Sequence, residues 1–408
     1  MGLGPSTKMT TLHHFDCPVT KHLLEDEEID FLGVIVDGVS ENFDKKTFTA
    51  KRAVDIAKSL GAQGALVAID GWGNHHMDFV SIIDLLGKNN IPSVGLSYLG
   101  TQGKLVATSP HVKKIVDFNK SETGFESCVV GQNNLEPKDA MFATVILKNR
   151  LKRFIKLNHI KSINSGEITR QYINISSAQI ADVTKIENET LFLDRNLPKN
   201  ILISYKNIKE ISINFIKPKN LDVNVNSNLD FIPIVTKNGE EIGFNNSKIL
   251  NGICTMLTAV DESGFQPSNI GSSNGVLGKQ VVFDKAGTPK STDILLHIDV
   301  TLKDGQARTA HGIEEAHKAC DLILESIRRA MIDHPHNKSN KITYHRRPGA
   351  YKVCLIKIVS GLGNMYDTSI FPSQPAGILG SYMMRDLGNM PFIASPLQIL
   401  DGCIHSLL

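Results

Sequence analysis

A dense group of polar residues follows the second predicted strand, in the segment DGWGNHH. Asp70, Asn74, His75 and His76 supply acid, base and hydrogen-bonding groups, and the two glycines let a ligand approach the backbone closely. In open α/β sheets, ligands bind outside the carboxyl ends of the strands. We therefore predict Asp70 and His76 as catalytic residues, and Trp72, Asn74 and His75 as substrate-binding residues. The alternative is a capped turn with solvated histidines.

A second polar loop, GLGNMYDT, follows a predicted strand near the end of the chain. We predict Asn364, Tyr366 and Asp367 of this loop as substrate-binding residues, and a structural turn or a subunit contact is the alternative. The loop lacks the lysine and the GK[ST] ending of a phosphate-binding loop, and it does not match GxGxxG. No nucleotide cofactor is therefore expected.

A third group lies near the start, where the segment HHFDC contains His14 and Cys17. A cysteine beside histidine could be a reactive thiolate, and we predict both residues as catalytic. The chain has six cysteines, and they show neither a CxxC motif nor zinc spacing, so no metal site is expected. A further polar set, His297 and Asp299 with Arg308 and His311, is either a site between a strand and a helix or a solvated surface.

The elements that must position these residues alternate between strand and helix over the first 155 residues. FLGVIVDGV (31–39) and GALVAID (64–70) are apolar runs typical of strands buried on both faces. Residues 44–60 and 136–154 have helical spacing, with Asp44 predicted as an N-cap. Such strand–helix–strand units predict a parallel, doubly wound sheet.

The rest of the chain has a different pattern. TLFLDRN, NILISYK, KEISINFIKP and DFIPIVTK are predicted strands, and residues 308–332 form the longest predicted amphipathic helix. We predict an α/β protein with a flavodoxin-like α/β domain at 10–154, a β-rich domain at 168–250 and an α/β domain at 251–408.

The composition limits the classes of function. The chain has 408 residues, and 44 Lys and Arg against 42 Asp and Glu leave a formal charge of +2, which argues against a nucleic-acid surface. No apolar run is long enough to span a bilayer, and the first residues lack the apolar core of a signal peptide. A cytoplasmic location without membrane partners is therefore expected.

Six segments together resemble the D-proline reductase proprotein family, which is related to the substrate-binding proproteins of glycine, sarcosine and betaine reductases. They are DGWGNHHMDF, VGQNN, LLHIDVTLKDGQARTAHGIEEAH, IVSGLGNMYDTSIFP, PAGILGSYMMRDLGNMPFI and DGCIHSLL. The resemblance covers residues 10–154 and 168–408.

The resemblance implies reductive cleavage of the C–N bond of D-proline to 5-aminovalerate, in amino-acid fermentation by anaerobes. In such a family a pyruvoyl group, formed autocatalytically from a cysteine, condenses with the substrate amine, and a selenolate of a small partner subunit attacks the α-carbon. Thiols then reduce the selenium adduct. The implied partners are this selenocysteine-containing subunit, other reductase subunits and a small amino-acid substrate, in an oligomeric assembly.

This sequence differs from the family pattern in the order of its parts. In the family, a segment ending like DGCIHSLL precedes the DGWGNHH-type segment, with the processed cysteine between them; here the order is reversed. Cys17 is the nearest candidate for the pyruvoyl precursor. A fusion of two smaller, supporting relatives of the proprotein halves would explain the reversal. The sequence therefore leaves three hypotheses: a catalytic subunit, an accessory protein of the same system, and a small-ligand-binding protein.

Overall fold

The structure of the protein is a computed structural model, and it describes most of the chain. The described residues are 15–39, 42–69, 75–97, 102–119, 129–132, 134–155, 163–238, 246–267, 274–335, 337–359 and 391–401. None of the helices within these ranges is long and apolar enough to cross a membrane.

The elements follow one another along the chain as helices and strands of very different length. The helices are α1 (Pro18–Glu25), α2 (Phe43–Ser59), α3 (His76–Lys88), α4 (Pro137–Leu151), α5 (Leu197–Leu202), α6 (Leu277–Gln280), α7 (Ala310–Ile332) and α8 (Pro396–Asp401). The strands are β1 (Ile29–Gly38), β2 (Gly64–Ile69), β3 (Ser93–Ser97), β4 (Ile115–Asp117), β5 (Ile163–Asn174), β6 (Ser177–Ala181), β7 (Lys185–Glu187), β8 (Thr190–Asp194), β9 (Ile208–Ile216), β10 (Asn224–Val225), β11 (Ser227–Ile232), β12 (Val235–Asn238), β13 (Asn246–Asn251), β14 (Ile253–Asp261), β15 (Gly275–Val276), β16 (Ile294–Leu302), β17 (Lys338–Arg346), β18 (Tyr351–Val359) and β19 (Phe392–Ala394).

The first sheet, within the described ranges, has the strand order β19-β1-β18-β2-β3-β4 and is parallel except for β19. Every residue of β1 and β2 is buried. Leu66 and Ala68 pack among residues of α1, α4 and α8, whereas Val67 and Ile69 pack among residues of α2 and α3 on the other face. Helices on both faces of a parallel sheet confirm the predicted α/β class.

A strand from the far end of the chain lies in the middle of this sheet. β18 is hydrogen-bonded to β1 on one side, with Leu355 level with Val34, and to β2 on the other, with Cys354 level with Ala65. An ion pair between Arg346 and the buried Asp30 anchors the residues before β18 to β1, with Nε–Oδ1 and Nη2–Oδ2 distances of 2.9 and 2.7 Å. The sheet therefore joins strands across the boundaries drawn from the sequence at residues 154 and 251.

The remaining strands form smaller sheets around a second core. The orders are β11-β14-β16-β9, β12-β13-β5-β17, β6-β8-β7 and β10-β15. Helix α7 and the short α5 cover one face of the β11-β14-β16-β9 sheet, and a smaller apolar cluster lies on its other face. This part of the chain is thus rich in strands, with one long helix closing its core.

Two local predictions are wrong. NILISYK was predicted as a strand, but its first residues complete helix α5, because Pro198 at the first turn has the fixed backbone angle that starts a helix. Helix α2 is capped by Asn42 rather than Asp44: the Asn42 side chain accepts a hydrogen bond from the Lys45 backbone N–H at 3.1 Å. Asp44 lies in the first turn, where a carboxylate is favourable for the helix dipole.

A row of polar side chains is buried on α7 against the second core. Asp321 is 1% exposed, and neither of its carboxylate oxygens has a hydrogen-bond partner among the described residues. Burial raises the pKa of Asp321 to about 8, and the nearby Glu325 raises it too, while Arg328 acts in the opposite direction. The folded protein therefore retains a proton that the unfolded chain has lost at neutral pH.

Because of this retained proton, the free energy of unfolding is expected to fall as pH rises from 6.5 to 8. The folded pKa of Asp321, about 8, is above its unfolded value of 3.8, so its stabilisation is complete below pH 3.8 and is lost as the pH rises through 8, by up to about 1.4 kcal/mol per pH unit. The contribution of His317 to stability depends on pH in the opposite direction. Its pKa is lowered from 6.5 to about 4, so this contribution changes only below pH 6.5.

Urea unfolding at several pH values would test this expectation. The variant Asp321→Asn, which mimics the neutral acid, should show a flatter dependence on pH between 6.5 and 8 than the native chain. The exposed carboxylate of Asp304 offers a matched control, since Asp304→Asn should leave the slope unchanged. Equal slopes for the native chain and Asp321→Asn would contradict the expectation.

Candidate functional site

The carboxyl edge of the first sheet carries a buried cluster of charged side chains. β1 ends at Asp37 and Gly38, and Asp37 is completely buried. The Lys46 ammonium group, from α2, lies 2.6 Å from Asp78 Oδ2, from α3, and both side chains are buried. Strand ends of a parallel sheet and the first turns of its helices meet at this edge, which is why residues distant in sequence converge there.

Asp37 has an unusual environment for a carboxyl group. Neither of its oxygens has a hydrogen-bond partner among the residues that the structure describes. Burial raises the pKa of Asp37 well above its usual value, and the neighbouring Asp78 raises it further, while the nearby Thr49 hydroxyl and the Lys46 ammonium group oppose the shift. The neutral acid is therefore favoured, and this form can donate a hydrogen bond or a proton.

His76 is the first residue of α3 and lies at the same edge. Its ring is 1% exposed and is 5.2 Å from the Phe79 ring, centroid to centroid. Gly103, in the 3-10 turn Gln102–Leu105, approaches the imidazole so closely that a Cβ atom at this position would overlap with it. Burial lowers the pKa of His76, so the neutral imidazole is favoured near pH 7. His76 can thus act as a neutral base or hydrogen-bonding group.

His75 lies beside this cluster at the N-cap position of α3, where it is 2% exposed. Since His75 and His76 are both buried, the alternative of solvated histidines is not what the structure shows. Two buried imidazoles instead lie at the start of α3, which faces the ends of the strands.

Cys17 belongs to the opposite face of the sheet. It is the N-cap residue of α1, is 2% exposed and packs in the apolar cluster formed by α1, α4 and α8. The preceding Asp16 has φ of 56°, and its N–H donates to the Leu400 carbonyl oxygen at 3.2 Å. Helix α3, which carries His76, packs on the other face. The structure therefore does not bring Cys17 and His76 together.

Several predicted site residues lie outside the described residues. They are His14, Asp70, Trp72, Asn74, Asn364, Tyr366 and Asp367. The strands before them are described: β2 ends at Ile69, and Val359, the last residue of β18, is level with Gly38 at the end of β1. Both polar loops thus follow neighbouring strands that end at the edge where Asp37 lies.

Sequence reasoning missed Asp37, Lys46 and Asp78. A usable signal was present, because Ile-Val-Asp-Gly at residues 35–38 repeats the pattern of Ala-Ile-Asp-Gly at 68–71, and an acid at the end of a buried strand marks the carboxyl edge of a sheet. Lys46 and Asp78 gave no such signal, since charged residues in helices are usually exposed.

The polar set around His297 is only partly brought together. Thr258 Oγ1 donates to Asp299 Oδ1 at 2.5 Å and lies 2.8 Å from His297 Nε2. Arg308, by contrast, stacks on the Phe265 ring at 4.2 Å, and His311 lies near glutamates of its own helix. The set is therefore a hydrogen-bonded group on one sheet, and Arg308 and His311 have other contacts.

Comparisons with known proteins agree with the motifs. Residues 3–122 match the family model of glycine/sarcosine/betaine reductase component B subunits. The chain is 33% identical over 244 residues to the D-proline reductase proprotein PrdA of Acetoanaerobium sticklandii, a match that covers 59% of this chain and 39% of that protein. It is also 37% identical over 94 residues to the betaine reductase complex component B subunit alpha of Peptoclostridium acidaminophilum, which covers 22% of this chain and 21% of that subunit.

The chain spans about two fifths of the length of the first of these relatives and about one fifth of the second. No solved structure shows a significant match. The resemblance that the motifs indicated is nevertheless confirmed by the family model and by both relatives: parts of this chain are similar to the component B subunits of the glycine, sarcosine and betaine reductases and to the D-proline reductase proprotein.

Proposed function

We propose that the chain is a subunit of a cytoplasmic reductase complex of the D-proline reductase type, which cleaves the C–N bond of D-proline to give 5-aminovalerate together with a selenoprotein partner. The observation that carries the proposal is the match of 244 residues, at 33% identity, to the D-proline reductase proprotein. The buried acid, the ion pair and the neutral imidazole at the carboxyl edge support it, since they could orient a small polar substrate.

A pyruvoyl group derived from Cys17 does not fit the described surroundings of this residue. The carbonyl would need access to a substrate amine, but Cys17 is 2% exposed and packs among Val19, Leu23 and other apolar side chains. Among the described residues, no other predicted catalytic group lies on this face of the sheet. We therefore derive no catalytic step through a carbonyl group at this position.

The burial of Cys17 favours the second candidate function, a supporting subunit. In this case the chain contributes binding surfaces and interfaces, and a different subunit of the same complex supplies the carbonyl group. Both candidates share the partners, and they differ in whether this chain is cleaved.

The protein is expected to remain a single uncut chain with an unchanged mass after borohydride treatment. A pyruvoyl enzyme would instead give two fragments, one with a blocked N-terminus whose mass rises on reduction. Intact mass spectrometry decides between them, and Cys17→Ala is the control, because it should abolish any cleavage that depends on this thiol. Cleavage with a borohydride-dependent mass shift would contradict the supporting role.

A separate experiment tests whether the chain associates with the reductase complex. Tagged chain should co-purify with the selenoprotein and proprotein subunits of a D-proline reductase, and should raise the rate of 5-aminovalerate formation. Absence of both effects with active subunits would refute the proposed function.

A further inference from the structure

A cavity of about 590 Å³ lies at the amino edge of the first sheet, at the opposite end of the strands from the candidate site. Ala62 and Gln63 come directly before β2, and Ile91 and Pro92 come directly before β3. The last turns of α3 and α4 contribute to the same wall. This volume is within the range of small-molecule sites, which is about 300–1,000 Å³.

The lining of this cavity is rich in basic side chains. Arg150 comes from the last turn of α4, and His111 and Lys113 come from the segment before β4. None of the described residues that line the cavity carries a carboxylate. His111 interacts with the Asp84 carboxylate, which already forms an ion pair with Lys88 at 2.6 Å. The cavity therefore offers positive charge without a counter-ion of its own.

Arg150 has a fixed position and unused donors. One of its terminal amino groups donates to the Ser93 carbonyl oxygen at the start of β3, and the guanidinium group makes no ion pair among the described residues. Burial lowers the pKa of Arg150, and the neighbouring Arg153 lowers it further, so no carboxylate compensates for the burial of this charge. A guanidinium group held at one nitrogen keeps its other donors in a fixed plane, which suits two oxygens of a phosphate group.

Lys113 is brought to this guanidinium group by the order of the strands. β4 is the parallel neighbour of β3, with Gly95 level with Ile115. Ser93 and Lys113 each come two residues before this pair, and neighbouring strands are about 5 Å apart. Lys113 therefore lies next to the start of β3, where the Ser93 carbonyl holds Arg150, and its side chain is exposed.

The turn that carries His111 and Lys113 is held against α3. Gly87, in the last turn of α3, approaches the His111 imidazole so closely that a Cβ atom at this position would overlap with it. The His111 backbone N–H donates to Ser109 Oγ at 3.2 Å, and the Lys113 backbone N–H donates to the His111 carbonyl oxygen at 2.9 Å. This wall of the cavity is therefore formed before any ligand binds.

We propose that this cavity binds a small phosphate monoester, with its phosphate oxygens on the Arg150 guanidinium and the Lys113 ammonium group. Two cations match a dianionic phosphate, whereas a single carboxylate would leave one of them without a counter-ion. The phosphate group fills only part of the volume, which leaves room for an organic substituent. The inference does not depend on the proposed function, because the cavity is at the other end of the strands from Asp37 and His76.

Isothermal titration of the full-length chain at pH 8 with phenyl phosphate and with benzoate tests the charge requirement. Phenyl phosphate is a dianion at this pH, since the second pKa of a phosphate monoester is about 6, and it should show saturable binding. Benzoate has the same ring but a single charge, and at equal ionic strength it should bind at least about tenfold more weakly. Equal affinity for the two ligands, or no saturable binding of phenyl phosphate, would refute the site.

Two matched pairs of variants locate the phosphate group. Arg150→Gln retains an amide N–H that can donate to the Ser93 carbonyl, and Lys113 is exposed, so Arg150→Gln and Lys113→Gln should both fold. Each should weaken binding of phenyl phosphate by about ten- to a hundredfold, because a charge-assisted hydrogen bond is lost. The controls are Arg153→Gln and Lys114→Gln, which remove an adjacent exposed cation outside the cavity lining. Each control should bind within about threefold of the native chain, since exposed charges are screened.

Urea unfolding of the same variants separates binding from stability. The alternative role for Arg150 is to stabilise the carbonyl ends of α3 and α4, where cations are favourable. Lower stability of Arg150→Gln with native affinity for phenyl phosphate would assign the cation to this role and overturn the inference. Equal weakening of binding by Arg150→Gln and Arg153→Gln would also overturn it, because it would show a diffuse effect of net charge rather than a site.

Discussion

A fragment of residues 10–154 is expected not to fold by itself, although its sequence has the strand and helix pattern of an α/β domain. In the intact protein β18 fills the position between β1 and β2. Val353, Cys354, Leu355, Ile356 and Ile358 of this strand are all buried in the two cores of the sheet. At about 1.5–3 kcal/mol for each buried aliphatic side chain, their loss is comparable to the whole stability of a domain, about 5–15 kcal/mol.

The fragment would also lose the ion pair that a buried carboxylate forms with the rest of the chain. Asp30 is 2% exposed and is paired with Arg346, so the fragment retains a carboxylate without its partner. Both β1 and β2 would have an unpaired edge in the middle of the sheet, which favours aggregation.

Circular dichroism and the dispersion of amide proton chemical shifts in the NMR spectrum of the purified fragment would test this prediction. We expect a low helix signal and no cooperative unfolding for 10–154 alone. Co-expression with residues 163–408, which contain β18, should restore a soluble complex with a cooperative transition. A matched control is the same second fragment with Leu355 and Ile356 replaced by Asp, which should fail to restore folding. A stable, monomeric 10–154 fragment would show that β18 is dispensable.

The substitution Lys46→Met is expected to lower the free energy of unfolding by about 3–5 kcal/mol, the usual cost of removing one member of a buried ion pair. Lys46 and Asp78 are 3% and 0% exposed and are 2.6 Å apart. Without the ammonium group, the Asp78 carboxylate stays buried close to Asp37 and loses its ion pair with Lys46.

Lys45→Met is a closely matched control, since Lys45 is adjacent in sequence but exposed, and its side chain forms no ion pair among the described residues. We expect this control to change stability by less than about 0.5 kcal/mol in urea unfolding. The double variant Lys46→Met with Asp78→Leu should recover much of the loss, because it removes both buried charges. Equal effects of the two single lysine variants would mean that the ion pair contributes nothing measurable.

The elements of the first sheet were predictable because buried parallel strands have a simple pattern. FLGVIVDGV is a continuous apolar run, the predicted strand before the GLGNMYDT loop is apolar apart from its lysines, and β1 and β18 lie in these segments. Their adjacency was not predictable, because an apolar run records how deeply a strand is buried and not which strand lies beside it. The pairing of β1 with β18 joins residues more than 300 positions apart, beyond the reach of any local pattern.

The candidate site was predictable in position but not in composition. Polar residues after β2 and β18 indicated the carboxyl edge, and His75 and His76 lie there, buried. Asp37 was overlooked although an acid at the end of an apolar run marks the carboxyl edge of a sheet, and the pairing of Lys46 with Asp78 depends on how α2 and α3 pack. Cys17 was grouped with the histidines because of its sequence neighbours, but the sheet separates it from His76.

The position of β18 also has a consequence for synthesis of the protein. About 290 residues separate the end of β2 from the end of β18, so at about 5–20 residues per second a ribosome needs roughly 15–60 s to deliver the missing central strand. During this interval neither β1 nor β2 can pair with β18. The apolar cores on both faces of the sheet remain incomplete. The position between β1 and β2 therefore stays unfilled in the nascent chain until β18 emerges, and faster elongation through the second core should increase the soluble yield.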